Sequence, residues 1–151
     1  MVLSPDDEAR TNSMGLFNTA EAFRLSAMAL QKTKVDSGFA EMPVRQLYFH
    51  ALELYLKALL RQTHTVAALS SKKFGHKTDR LVKAAEALGL AVKDEDREVL
   101  SLIETNAVIE SRYIKTGAKT WPATEALCRT CKNIRDGVGR LLRKNDVMVR
   151  L

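Results

Sequence analysis

Leu47-Tyr48-Phe49-His50-Ala51-Leu52-Glu53-Leu54-Tyr55-Leu56-Lys57-Ala58-Leu59-Leu60 is the stretch on which the fold turns. Leu47, Ala51, Leu54 and Ala58 recur at helical spacing as one stripe. Phe49, Leu52, Leu56, Leu59 and Leu60 fill much of the remaining girth. A helix this apolar has to be covered on more than one side, either as the central helix of a bundle or in a dimer interface. Pro43 suits a first helical position, where its missing N–H has no partner anyway. The spacing therefore predicts a helix from Pro43 to about Gln62.

Working outward, Asn18-Thr19-Ala20-Glu21 has the form of a capping box, and Ala20, Phe23, Ala27 and Leu30 follow at helical spacing. A first helix is expected from near Asn18 to Asp36-Ser37-Gly38. Residues 63–76 read as a loop holding His64, Lys72, Lys73, Gly75 and His76. A third helix is expected from Thr78 to Leu88, ended by Gly89, a fourth from Asp94 to Tyr113, and a fifth from Pro122 to Lys144. Seven Gly and three Pro in 151 residues favour helix throughout. The expected fold is all-α, an antiparallel four- or five-helix up-and-down bundle. Residues 1–15 are expected to be a flexible N-terminal arm, 16–146 a single domain and 147–151 a tail.

Composition narrows the class. Hydrophobic residues make up 46% and charged residues 28%, enough apolar surface to bury a core. No stretch approaches about 18 uncharged apolar residues, so no membrane span is expected. The acidic start lacks the pattern of a signal peptide, and two cysteines make no disulfide framework, so a cytoplasmic location is the default expectation.

The net charge of +6 is unevenly placed. Residues 111–151 hold ten Lys/Arg against three acids; the first 110 hold 14 against 15. On a wheel of the fifth helix, Leu127, Cys131, Ile134, Val138, Leu141 and Leu142 fall between about 120° and 220° from Arg129. Arg129, Lys132, Arg135, Arg140, Arg143 and Lys144 take the complementary side. They are expected to form a continuous exposed basic stripe, either steering an anion or simply solvated. Gly137 and Gly139 provide either close helix contact or a kink, and the sequence leaves both open. In the fourth helix Asn106 and Glu110 fall inside the apolar stripe, with Tyr113 beside them and Arg112 on its flank. A carboxylate and an amide facing inward must be paired or line a cleft.

Other motifs carry little. Cys128-Arg129-Thr130-Cys131 has no second ligand pair for zinc and no βαβ context for redox chemistry. Cys131 is expected in the core and Cys128 half-buried. No Gly-rich phosphate loop and no Ser/His/Asp motif occurs, and no cofactor or metal is implied. His50 reads as a core or interface histidine. His76, just before a helix N-terminus, reads as a cap or an anion contact. Trp121 is expected to pack the bundle end.

The quoted stretch resembles the "A-x-E-x-x-L-K-A-L-L" helix of HEPN domains (higher eukaryotes and prokaryotes nucleotide-binding). Gly75-His76-Lys77-Thr78-Asp79-Arg80-Leu81 resembles that family's "G-H-D-L" entry to its third helix, and Glu110-Ser111-Arg112-Tyr113 its "E-A-R-Y" end of the fourth. The three occur in the family's order across roughly residues 18–144. The resemblance implies a HEPN-like bundle similar to the substrate-binding subunits of nucleotidyltransferases, commonly a homodimer. It implies three kinds of role: metal-independent endoribonucleases of toxin–antitoxin and defence systems, partners of minimal nucleotidyltransferases, and nucleotide- or RNA-binding modules. The ribonuclease members carry Arg followed four to six residues later by His. Arg112 matches the Arg, but Gly117, Ala118 and Lys119 stand where the His would fall, and Tyr113 replaces the polar residue that often follows the Arg. Without that His the general acid–base pair for 2′-hydroxyl attack is incomplete. The leading expectation is a non-catalytic module binding nucleotide or RNA phosphates, or a nucleotidyltransferase partner. Arg112 would anchor phosphate, with Asn106, Glu110, Tyr113 and Lys119 about it. The first alternative is an endoribonuclease using Arg112 with a displaced base such as His50 or His76. The second is a scaffold dimerised through the apolar second helix, with no nucleic-acid binding.

Overall fold

The computed structural model describes residues 4–105 and 121–151. Its elements are α1 (Pro5–Arg10), α2 (Ser13–Gln31), α3 (Glu41–Leu60), α4 (Val66–Leu69), α5 (Thr78–Ala87), α6 (Asp94–Thr105) and α7 (Thr124–Lys144). The described residues contain no strand, so the chain is all-α. No helix among them is long and apolar enough to cross a membrane.

Helix α3 is the axis of the core. Val44, Tyr48, Phe49, Ala51, Leu52, Tyr55, Leu56, Ala58, Leu59 and Leu60 are all buried. Each large side chain removed from water contributes about 1.5–3 kcal/mol, so this one helix supplies much of the driving force for folding. It packs against α2, α5 and α7. Of the two readings of its apolar girth, the structure takes the first: α3 is covered by its own chain. Leu47, His50, Leu54 and Lys57 stay partly exposed along one side of it.

Helix α2 lies antiparallel to α3. The Tyr48 hydroxyl donates to Gln31 Oε1 at 2.7 Å near one end, and the Arg61 guanidinium donates to the Thr11 carbonyl at 2.9 Å at the other. Helix α7 runs parallel to α3. Arg45 Nε donates to the Pro122 carbonyl at their N-terminal ends, while Asn145 Nδ2 donates to Gln62 Oε1 at their C-terminal ends. The strict alternation of a five-helix meander would make this pair antiparallel, and it does not hold here. Trp121 stacks on Phe49 at a centroid distance of 6.3 Å, closing this end of the core. Helices α5 and α6 form an antiparallel hairpin in which Arg97 pairs with Glu86.

Ser4 caps α1 by accepting from the Asp7 amide, and Pro5 takes the first turn. Arg61 reaches back to the Glu8 and Thr11 carbonyls, and the Val66 amide donates to Glu8 Oε1. Helix α2 starts at Ser13 rather than near Asn18, because Asn12 accepts from the Gly15 amide at 2.8 Å. Ser13 and Phe17 already lie on the buried face shared by Ala20, Arg24 and Ala27. Glu21, read as a capping-box residue, instead points inward.

Gly89, at φ 102°, ends α5 as expected: the Leu90 amide donates to the Ala85 carbonyl and that of Gly89 to Glu86. The same motif ends α7 with a non-glycine residue, Asp146, at φ 63°. It turns residues 147–151 back along the helix, where Val149 is buried. The two open glycines of α7 serve close approach. A Cβ on Gly137 would stand 2.8 Å from Leu90 Cδ1, and one on Gly139 would collide with Leu151.

Candidate functional site

The residues placed about the anion in the fourth helix and its connection (Asn106, Glu110, Arg112, Tyr113 and Lys119) lie outside the described residues. The basic stripe of α7 is described, and it is not continuous. Arg135 is only 14% exposed: Nε donates to Glu21 Oε1 at 2.8 Å and Nη1 to Asp136 Oδ1 at 2.8 Å. Lys132 pairs with Asp136 at 2.7 Å. Arg129 stands 4.0 Å from Glu95 and 3.9 Å from Asp96. Arg143 is exposed, and its Nε donates to the Val149 carbonyl at 2.7 Å. Arg140 and Lys144 are exposed with no ion pair among the described residues. The N-terminal half of the stripe is thus matched by carboxylates from three helices. The expectation fails at Arg135 because Glu21, turned inward from α2, draws that guanidinium off the surface.

Glu21 is the centre of a network that sequence spacing does not show. Its carboxylate accepts from Arg24, Arg135 and the Tyr55 hydroxyl. Burial alone would raise its pKa, but the hydrogen bonds from Arg24, Arg135 and Tyr55 outweigh burial and hold it below the usual carboxylate range. Asp136 follows the same logic: burial opposes, and hydrogen bonds from Lys132 and Arg135 lower it. The network joins α2, α3 and α7.

A second cluster has a different character. Glu53, 4% exposed on α3, accepts from Lys57 Nζ at 2.7 Å and faces His76 Nδ1 at 2.9 and 3.0 Å through its two oxygens. An ionised carboxylate only accepts, so Nδ1 carries the proton and the ring is fixed in orientation. His76 is half-exposed, at the edge of a turn in which Gly75 takes φ 50° and the Lys77 amide donates to the Phe74 carbonyl at 2.8 Å. That geometry favours glycine at position 75.

Around His76 the chain places Lys72, Lys73, Lys77 and Arg80, all exposed. None of the four pairs with a carboxylate among the described residues. Arg80 Nη1 instead donates to the carbonyls of Lys72 and Lys73 at 3.2 and 3.0 Å, holding the loop against the start of α5, and Lys73 lies over the Phe74 ring. Lys77 stands at the N-cap of α5 without a side-chain capping bond, so the positive end of the helix dipole adds to the cationic loop. Beside it a cavity of about 230 Å³ lies between α5 and α6, with Val82 and Leu100 as apolar walls, Asp79 as an acid, and Lys83 and the Glu86-paired Arg97 as cations. Exposed cations without a carboxylate partner among the described residues thus include Lys72, Lys73, Lys77 and Arg80 as well as Arg140, Arg143 and Lys144.

The remaining residues fall into packing roles. His50 meets the Phe23 ring edge-on at 4.4 Å. Arg45 lies over Trp121. Cys131 is fully buried, which pushes its thiol pKa up, and Cys128 is half-buried. Among the described residues no three His, Cys, Asp or Glu side chains converge as a metal site. Asp96, buried in α6, accepts from Thr130 Oγ1 at 2.7 Å and Asn133 Nδ2 at 2.9 Å and clasps α6 to α7. No family model, no curated protein and no solved structure matches this chain.

Proposed function

We propose that the chain is a HEPN-like helical module that binds the phosphates of a nucleotide or single-stranded RNA through residues 72–80. The observation that carries this reading is the set of four exposed cations, Lys72, Lys73, Lys77 and Arg80, without acidic partners among the described residues at the N-terminal end of α5. Exposed cations without partners attract phosphate and release its counterions on binding. His76, oriented by Glu53, supplies a further polar edge to the same face. The cavity between α5 and α6 offers Val82 and Leu100 to the flat face of a base or ribose. In the HEPN-like reading Arg112 adds a bidentate phosphate contact. Binding of a fluorescent RNA oligonucleotide, followed against salt, tests the proposal. A steep loss of affinity with rising salt is expected, and salt-independent binding or none at low salt would refute it.

The Glu53–His76 pair favours one alternative. A carboxylate that holds Nδ1 leaves Nε2 for acid–base work, as metal-independent phosphodiester cleavage requires. If this operates, RNA is cut in the presence of EDTA and His76→Ala abolishes cutting. Intact RNA after long incubation leaves binding as the function. A nucleotidyltransferase-type partner would use the same basic face, and co-purification with such a protein is its test.

A further inference from the structure

Glu53 is a carboxylate set in the apolar wall of α3, and it holds a histidine ring from behind. His76 Nδ1 lies 2.9 and 3.0 Å from its two oxygens, and Lys57 Nζ, one turn along the helix, lies 2.7 Å from the first of them. Nδ1 faces a group closed to solvent. The 40% exposure of the His76 side chain therefore belongs to the opposite edge, where Nε2 keeps a lone pair in the neutral ring. The other two histidines are set differently. His64 Nδ1 meets a carbonyl, that of Leu60 at 3.2 Å, and its ring stands edge-on to buried Phe74. The His50 ring packs edge-on against Phe23.

An imidazole anchored at Nδ1 with Nε2 open is a nucleophile as well as a base. What it takes is set by its surroundings. Lys72, Lys73, Lys77 and Arg80 all lie within four residues of His76, and Asp79 is the one acid between residues 71 and 80. The segment is folded on itself, so these cations stay with the ring. The Phe74 amide donates to the Ser71 carbonyl at 3.2 Å and the Lys77 amide to the Phe74 carbonyl at 2.8 Å, while Arg80 ties the carbonyls of Lys72 and Lys73 to the first turn of α5. Such a setting favours an electrophile that carries negative charge before and after reaction, and a phosphoryl group is one.

We propose that His76 is a phosphorylation site, whose Nε2 takes a phosphoryl group from a phosphoramidate donor. The Nε2 lone pair attacks phosphorus and forms the new N–P bond. The donor's own P–N bond breaks, and its nitrogen, already protonated, leaves with the electron pair as ammonia. No proton has to move: Nδ1 keeps its hydrogen, the ring becomes a phosphorylated imidazolium, and the Glu53 carboxylate lies against its positive charge. The phosphoryl oxygens are neutralised by the cations of residues 72–80. Glu53 is a positioning residue in this step, since it acts through the ring and not on phosphorus. The modification does not depend on the binding of nucleotide or RNA. Where that binding operates, a phosphoryl group on His76 takes up the same cations and weakens it.

Treating the full chain with potassium phosphoramidate, with phosphorus NMR and peptide mapping as the readout, tests this. Wild type is expected to take one acid-labile phosphoryl group, on Nε2 of His76, about tenfold faster than on His50 or His64. His76→Gln is expected to lose that fast labelling. Lys72→Ala/Lys73→Ala/Lys77→Ala changes only exposed side chains and is expected to slow labelling of His76 about tenfold with unchanged helix content. Glu53→Gln, checked for folding by circular dichroism, is expected to give both nitrogen isomers, because an amide turns either its oxygen or its nitrogen toward the ring. Labelling at Nε2 alone in folded Glu53→Gln would overturn the positioning role. If that variant does not fold, the wild-type isomer and the lysine triple decide. Label shared evenly among the three histidines, label on Nδ1 of His76, or a rate indifferent to the lysine triple overturns the inference.

Discussion

Helix α7 carries six Lys/Arg between Arg129 and Lys144, and the nine residues 72–80 carry four. On a charge plot the helix looks the stronger anion site. In three dimensions Glu21, Glu95, Asp96 and Asp136 stand beside Arg129, Lys132 and Arg135, so the N-terminal half of the stripe is close to neutral, and only Arg140, Arg143 and Lys144 of it stay exposed without a carboxylate among the described residues. No carboxylate among the described residues pairs with Lys72, Lys73, Lys77 or Arg80. Surface potential follows partners contributed by other elements, some more than a hundred residues away, rather than the density of basic residues along one helix.

The sharpest way to separate the two regions is to remove one cation from each. Arg135→Ala removes one cation shared by Glu21 and Asp136, which keep Arg24, Tyr55 and Lys132, and is expected to cost about 1–3 kcal/mol of stability by chemical denaturation. A loss below about 1 kcal/mol would mean that Arg135 is solvated like a surface residue. Lys72→Ala/Lys73→Ala/Lys77→Ala is expected to leave stability within about 1 kcal/mol. The same triple should weaken RNA binding about a hundredfold at low salt and flatten the salt dependence by about two charges. Equal RNA affinity for this triple and wild type would end the contrast.

Acid should act on the α7 network. Glu21 and Asp136 have folded pKa values below their unfolded ones. Their stabilisation is complete above the unfolded carboxylate range and is lost as pH falls through the folded values. Stability is therefore expected to drop below about pH 4.5, where the unfolded carboxylates begin to bind protons first. Glu21→Gln should reduce that slope, and an unchanged slope would remove Glu21 as its source. The smallest effect belongs to Lys132→Ala, which loses a half-exposed pair and should cost less than about 1 kcal/mol.

Much of the helical layout was legible. The girth of α3, the wheel of α7, the end of α5 at Gly89 and the burial of Cys131 follow from spacing and local backbone chemistry. The start of α2 is ambiguous in sequence because Asn18-Thr19-Ala20-Glu21 and Asn12 both satisfy a local capping rule, and only the inward pull on Glu21 separates them. The ion networks left weaker traces. Glu53 lies in a largely apolar stretch of α3, but its partner His76 lies 23 residues on, beyond any helical period. Asp96 has the position of an ordinary first-turn acid, and only Thr130 and Asn133, more than 30 residues on, show its role.

Fluorescence anisotropy of one RNA oligonucleotide against two charge-matched triple variants compares the regions directly. Lys72→Ala/Lys73→Ala/Lys77→Ala is expected to lose binding, and Arg129→Ala/Lys132→Ala/Arg140→Ala to retain affinity within about threefold of wild type. The reverse order, with the α7 triple losing binding and the loop triple keeping it, would contradict placing the anion site at residues 72–80.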